Sequence, residues 1–152
     1  LSAAVIRPQI AEIPRRVRDG RRIHDHVAKR LGTSPWLTVP EKLGPEERAP
    51  DSIQFNLVGM SDEDVTAFAA AAKDRGVPVQ VFGLSRDNAR AFWNWQFLGE
   101  TPDLPKTRAM LLRACDARLP ARLTRDDCDY IAHALLDAAE EVMGSQHTKA
   151  VA

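Results

Sequence analysis

The segment Ser52–Leu57, Ser-Ile-Gln-Phe-Asn-Leu, is the feature that most limits the folds open to this chain. Its polar and apolar residues alternate strictly, so three apolar side chains lie on one side of a strand and three polar ones on the other. Such a strand is typical of an antiparallel sheet that packs one face on helices and leaves the other face polar. The chain is therefore expected to contain both a sheet and helices.

Helical patterns lie on both sides of this strand. Residues 2–31 have apolar residues at helical spacing, and we expect Pro14 to bend or split this helix and Gly32 to end it. A second helix should begin at Ser61-Asp-Glu-Asp64, which resembles a capping box, and end at Gly76. Two more helices are predicted over Leu104–Ala114 and from Thr124 to Gly144.

Short elements fill the remainder, because ten prolines interrupt the chain. Strands are predicted over Trp36–Pro40 and Val77–Val81, with a short helix over Asp87–Phe92 and an extended segment over Arg118–Pro120. The fold class is thus α/β: a small antiparallel or mixed sheet of three or four strands, with helices on one side. Residues 1–143 form one domain, in which residues 1–31 are a lead-in helix, and residues 144–152 are expected to be a disordered tail.

Composition excludes several partners. The chain has 152 residues, enough for one domain with a core, and 21 basic residues balance 21 acidic ones. We therefore expect no nucleic-acid partner and no membrane partner. No signal-peptide pattern is present, and Cys115 and Cys128 are read as reduced thiols, so a cytoplasmic location is expected.

The ionisable residues offer no persuasive catalytic or metal site. His24 and His26 are two positions apart on a helix and point to different faces, which does not suit one metal ion. No glycine-rich phosphate loop is present. The arginine run over residues 15–22 is interpreted as a solvated helix face, with binding of a phosphorylated ligand as the alternative.

Polar and aromatic residues suggest a surface for a sugar. Gln54 and Gln80 point outward from two strands that we expect to pair, and an aromatic run follows on a nearby loop. Tryptophan faces stack on sugars, and side-chain amides donate to and accept from hydroxyls. The alternative is that Trp93 and Trp95 fill a core or a domain interface. The run contains Trp93, Asn94, Trp95 and Gln96.

The order of several segments resembles the C-terminal small domain of pyridoxal-phosphate (PLP) dependent sugar aminotransferases of the DegT/DnrJ/EryC1/StrS family. The similarity covers the opening Leu1–Ile10 helix, the Ser52–Leu57 strand and the Gly76–Phe82 strand. It is closest in the Leu104-Pro105 helix start and in the segment from Leu119-Pro120 to Thr124.

This resemblance implies a function. The chain would be part of a transferase that moves an amino group from an amino acid, glutamate or glutamine, to a keto-sugar in amino-sugar biosynthesis. The parent enzyme would use PLP and form a homodimer, and a large domain would supply most cofactor contacts. The resemblance also turns the strand end at Phe82 toward the substrate. The substrate-binding residues are accordingly predicted to be Gln54, Gln80, Phe82, Trp93, Asn94, Trp95 and Gln96.

The chain itself lacks the family's Ser-x-x-Lys motif, whose lysine forms the Schiff base. We read its five lysines as surface residues, so no catalytic residue and no bound cofactor is expected in this chain alone, which should be inactive by itself. Two other functions stay open: a non-catalytic remnant or accessory subunit that docks on a full-length aminotransferase, and a plain protein-interaction domain. The lysines are Lys29, Lys42, Lys73, Lys106 and Lys149.

Overall fold

The computed structural model describes residues 2–45, 47–97 and 99–150. It has helices on one face of a four-stranded antiparallel sheet, as the sequence predicts. The elements are α1 (Ser2–Ile10), α2 (Ile13–Leu31), β1 (Leu37–Thr38), β2 (Ser52–Leu57), α3 (Asp62–Asp74), β3 (Gln80–Val81), a 3-10 turn (Phe92–Asn94), α4 (Pro105–Leu111), β4 (Ala114–Arg118) and α5 (Arg125–Ala150).

The strand order β1-β2-β4-β3 corrects one prediction. β2 and β3 do not pair with each other, because β4 lies between them and pairs with both. Leu104–Ala114 was predicted to be helical, but α4 ends at Leu111 and a strand begins at Ala114. The sequence Ala-Cys-Asp-Ala-Arg has weak strand propensity, and pairing on both sides makes it a strand.

The core lies between the sheet and helices α2, α3 and α5. Ile53, Phe55 and Leu57 all point into it, as the alternation in β2 predicts. The ring of Phe55 meets that of Phe68 edge-on, with 6.2 Å between ring centroids. Ala138 and Ala139 on α5 are fully buried, and small side chains let this helix approach its neighbours closely.

Helix starts follow the predicted caps. The Ser61 hydroxyl accepts a hydrogen bond from the Asp64 amide at 3.2 Å, and the Asp64 carboxylate accepts from the Ser61 amide at 2.9 Å. Thr124 and Asp127 form the same reciprocal pair before α5. A cap of this kind stabilises a helix by about 1 kcal/mol. The predicted helix starts at Ser61 and Thr124 are confirmed.

The first predicted helix is divided in two, as expected near Pro14. α1 ends at Ile10, residues 11 and 12 form a turn, and α2 begins at Ile13. Pro14 therefore lies in the first turn of α2, where its missing amide hydrogen leaves no helical hydrogen bond unmade. The described residues of α1 are exposed along its length.

Two local predictions are wrong. Residues 87–91 are turns and bends rather than a helix, and the helical turn of this region comes later, at Phe92–Asn94. Gly144 does not end α5, so the tail expected to be disordered is helical to Ala150, and residues 151 and 152 lie outside the described part. Glycine is tolerated inside a helix at a cost of about 1 kcal/mol, and the φ angle of Gly144 is not positive, unlike that of Gly76 after α3.

Candidate functional site

The polar side chains of β2, β3 and β4 share the sheet face that points away from the core, and we call this surface the polar sheet face. It is formed by Ser52, Gln54, Asn56, Gln80, Asp116 and Arg118. The register places Gln54 opposite Asp116 on one side and Gln80 opposite Asp116 on the other. Gln54 and Gln80 are thus two strand spacings apart, about 10 Å between their backbones.

Asp116 is the residue of this face that sequence reasoning missed. It lies at the centre of the sheet with 8% of its surface exposed, and its carboxylate accepts a hydrogen bond from the Ser52 hydroxyl at 2.7 Å. A signal was present, because Cys115, Ala117 and Leu119 alternate with polar residues. The segment is short and rich in alanine, so helix and loop patterns masked this alternation.

A cleft of about 450 Å³ opens beside β3, and we call it the β3 cleft. Its polar groups are a side-chain amide, a carboxylate, a guanidinium and a hydroxyl, which together can donate to and accept from several hydroxyls of one ligand. One guanidinium nitrogen of Arg118 is occupied by Asp51 at 2.6 Å. The β3 cleft is lined by Ala69, Pro78, Val79, Gln80, Val81, Leu84, Ser85, Asp116 and Arg118.

Gln54 lines a different cleft. That cleft measures about 360 Å³ and also contacts His24, Arg48 and Ser52. The structure therefore brings Gln54 and Gln80 to one face but not into one cavity, and the Ser52–Asp116 hydrogen bond lies between the two clefts.

The predicted aromatic residues form a surface loop, residues 82–97, which we call the aromatic loop. Trp93 is half-buried, packs edge-on against Phe92 at 5.0 Å, and has the Arg108 guanidinium 4.2 Å from its ring centroid. Trp95 is 39% exposed and stacks on Phe97, which is 79% exposed. Neither tryptophan belongs to the hydrophobic core, so the prediction that they fill a core is wrong, and the prediction that they fill a domain interface stays open.

Two predicted contact residues of the aromatic loop face inward. Asn94 donates from its amide nitrogen to the carbonyl oxygens of Ser85 at 2.9 Å and Asn88 at 3.0 Å, which ties the loop to one wall of the β3 cleft. Phe82 is 5% exposed and its ring is covered by the Arg90 guanidinium at 4.3 Å. Gln96, in contrast, is exposed.

The Cys115 thiol and the described lysines do not form a reactive site. Burial raises the pKa of the Cys115 thiol to about 12, and the neighbouring Asp116 charge adds to this shift, so the thiol stays protonated in the core. The four lysines whose side chains the structure describes are exposed, and none of them lines the β3 cleft, so they do not fit a cofactor that needs a Schiff base there.

The described residues form neither a metal centre nor a helix that could cross a membrane. No three of their His, Cys, Asp and Glu side chains converge as metal ligands would. His26 is instead bonded to Asp129 at 2.8 Å between α2 and α5. No described helix combines the length and apolar character needed to cross a bilayer.

Comparisons with known proteins identify the fold. No family model and no curated protein matches the sequence. Among solved structures, the chain is similar to the Spr1654 protein of Streptococcus pneumoniae, assigned as a sugar aminotransferase, in its PMP form, with a TM-score of 0.76, 16% identity, and coverage of 91% of this chain and 35% of that one.

Two further solved structures have a similar fold. The aminotransferase TlmJ from Streptoalloteichus hindustanus gives a TM-score of 0.73 at 17% identity, covering 89% of this chain and 35% of that one. Helicobacter pylori PseC, an aminotransferase of pseudoaminic acid biosynthesis, gives 0.72 at 14% identity, covering 88% and 35%. The chain spans about a third of these proteins. Its fold is the one that forms part of sugar aminotransferases.

Proposed function

We propose that this chain is the C-terminal small domain of a PLP-dependent sugar aminotransferase of the DegT/DnrJ/EryC1/StrS family, which transfers an amino group from glutamate or glutamine to a keto-sugar. The observation that supports the proposal is the fold match over about nine-tenths of the chain to a part of several aminotransferases, one of them assigned as a sugar aminotransferase. At this level of identity the match gives the fold, and the polar sheet face supplies the independent chemical argument.

The β3 cleft is the proposed sugar side of the active site. The Asp116 carboxylate and the Gln80 amide oxygen would accept hydrogen bonds from sugar hydroxyls, and the free donors of Arg118 would bind a ring or carbonyl oxygen. Ser52 holds Asp116 in place. Asn94 is a positioning residue, because both amide hydrogens hold the aromatic loop to Ser85 and Asn88.

Uncovered apolar surfaces support a role within a larger assembly. Val5, Ile6, Ile10 and Ile13 are all more than half exposed on and after α1, and Phe97 of the aromatic loop and Met110 of α4 are exposed as well. Large apolar side chains left in water at neighbouring positions favour an interaction site. We propose that the large domain and a second copy of the enzyme cover these surfaces, in the cytoplasm.

We propose that the large domain of the parent enzyme holds the cofactor. The Spr1654 protein exists in PLP and PMP forms. The described lysines of this chain lie on its surface away from the β3 cleft, so the Schiff-base lysine is expected outside these 152 residues. An accessory subunit that docks on a complete aminotransferase would show the same surfaces, and the experiment below separates the two cases.

The test is to locate the cofactor. The protein that contains this chain is purified from its source, treated with PLP and borohydride, and digested to find the labelled lysine by mass spectrometry. The proposal predicts one labelled lysine in the same polypeptide but outside the 152 residues. A label on a separate polypeptide that copurifies would favour the accessory subunit, and a stoichiometric label on any of the five lysines of this chain would contradict both.

A further inference from the structure

We propose that the groove between the first turns of α2 and the loop after β4 binds a small ligand that carries a phosphate or pyrophosphate group. Arg15, Arg16 and Arg122 line this groove together with Pro120 and Ala121, and its volume is about 360 Å³. We call it the basic groove. It is distinct from the β3 cleft, and the inference does not depend on the proposed transferase function.

The positive charge of the basic groove comes from two distant parts of the sequence. Arg15 and Arg16 lie on α2, whereas Arg122 follows β4 about a hundred residues later. The whole chain has equal numbers of basic and acidic residues, so this local excess results from the fold and not from composition. No carboxylate lines the groove in the part of the chain that the structure describes.

Ion pairing leaves two of the three arginines available. Arg15 contacts Glu12 at 2.8 Å and Asp19 at 3.3 Å, so its charge is partly neutralised. Arg16 and Arg122 make no ion pair with any residue that the structure describes. Like charges that converge without acidic partners oppose folding, and a bound anion would remove that cost.

Neighbouring arginines of the same helix have structural partners and serve as a contrast. Arg21 pairs with Glu47 at 2.9 Å and holds the loop before β2, and Arg30 contacts Asp129 at 3.4 Å. A merely solvated face would explain exposed arginines on α2. It does not explain why Arg122 is brought to the same groove from another element.

A second, smaller cavity also contains basic residues of α2. It measures about 110 Å³ and is lined in part by Arg22, His26 and Arg125.

The guanidinium groups of the basic groove favour a phosphate ligand. The planar guanidinium group donates two parallel hydrogen bonds to phosphate oxygens, and two such groups on facing walls can hold both ends of a pyrophosphate. A volume of about 360 Å³ falls within the range of about 300–1,000 Å³ that is usual for small-molecule sites. A zero net charge and a short groove favour a small ligand over a nucleic acid.

The experiment titrates the 152-residue chain with inorganic pyrophosphate by calorimetry at low ionic strength, with sodium sulfate at matched ionic strength as the competing anion. The Arg16→Gln/Arg122→Gln double variant is expected to bind pyrophosphate at least about tenfold more weakly, since it loses two charged hydrogen-bond donors. The matched control, Arg7→Gln/Arg86→Gln, removes the same charge from exposed sites outside the groove and should change affinity by less than about twofold. Melting curves establish that all variants are folded.

Three outcomes would overturn the inference. The first is no saturable pyrophosphate binding by the unaltered chain. The second is an equal loss of affinity in both double variants, which would show a general charge effect. The third is tighter binding of a single-stranded oligonucleotide than of pyrophosphate, which would indicate a polyanion surface. If a double variant unfolds, chemical-shift changes of the arginine side chains in the unaltered chain replace it, and shifts away from Arg16 and Arg122 contradict the groove.

Discussion

The polar sheet face and the aromatic loop carry the residues proposed to contact a sugar, but they hold them in different ways. The sheet face takes its geometry from strand pairing, since β4 fixes Asp116 between Gln54 and Gln80. The aromatic loop takes its geometry from a few side-chain hydrogen bonds to its own backbone, such as Asn94 to Ser85 and Trp95 to Ala89. The sheet face is therefore held by backbone pairing, whereas the shape of the loop depends on single side chains.

The largest difference between the two regions should appear in stability. Phe55→Ala removes a ring that is fully buried behind the sheet, and we expect it to lower the free energy of unfolding by about 3–5 kcal/mol. Phe97→Ala removes a ring of the aromatic loop that is mostly exposed, and the expected change is within about 0.5 kcal/mol. Urea denaturation measures both, and similar losses would show that the loop is part of the core.

An intermediate effect is expected within the aromatic loop itself. Asn94→Ala removes two hydrogen bonds to backbone carbonyls. The Asn88 carbonyl keeps the Ala91 amide as a donor, whereas the half-buried Ser85 carbonyl loses its side-chain partner, and we expect a cost of about 1–3 kcal/mol. Hydrogen exchange should accelerate over residues 83–97 and stay unchanged in β4. The matched control is Gln96→Ala, which removes an exposed amide of the same loop. Equal exchange in the two variants would mean that Asn94 does not hold the loop.

The smallest effect lies outside both regions, at the start of α5. Hydrogen bonds from Thr124 lower the pKa of the Asp127 carboxyl below its ordinary value. A lowered folded-state pKa means that the charged group stabilises the protein above its ordinary pKa, and this contribution is lost as the pH falls through the folded-state value. Asp127→Ala should therefore lower the melting temperature near pH 7 and should lose that difference in acid.

The control for this pH series is Asp126→Asn, which removes a charge from the same helical turn without removing a capping hydrogen bond. A pH-independent difference between Asp127→Ala and the unaltered chain would show that the ionised form of Asp127 is not what stabilises the cap.

Local features of the sequence predicted the fold well. The alternation in Ser52–Leu57 gave the correct buried face of β2, and the caps at Ser61 and Thr124 gave correct helix starts, because these signals depend on neighbouring residues only. β4 could not be predicted in the same way. Its residues have weak strand propensity, and its position depends on partners about 35 and 60 residues away in the chain.

The candidate site was predictable to a lesser extent. Strand periodicity placed Gln54 and Gln80 on one sheet face. Because β4 was not predicted from the sequence, neither Asp116 nor the separation of the two clefts could be foreseen. The aromatic run left open whether Trp93 and Trp95 face a sugar or fill a core or a domain interface. Asn94 and Phe82 were predicted as contacts, but their polar and aromatic groups are engaged by Ser85, Asn88 and Arg90, which only the folded loop brings near.

The proposal that the β3 cleft forms the sugar side of an aminotransferase active site is tested by Asp116→Asn in the enzyme that contains this chain. The two half-reactions, with the amino donor and with a panel of keto-sugars, are measured separately. The substitution keeps the acceptor for Ser52 but removes the charge, and Asp137→Asn on the exposed side of α5 is the matched control. The account predicts a loss of about tenfold to a hundredfold in kcat/KM for the keto-sugar, equivalent to one charged hydrogen bond, with the donor half-reaction unchanged. Equal losses in both half-reactions, or no loss in either from a folded variant, would contradict it.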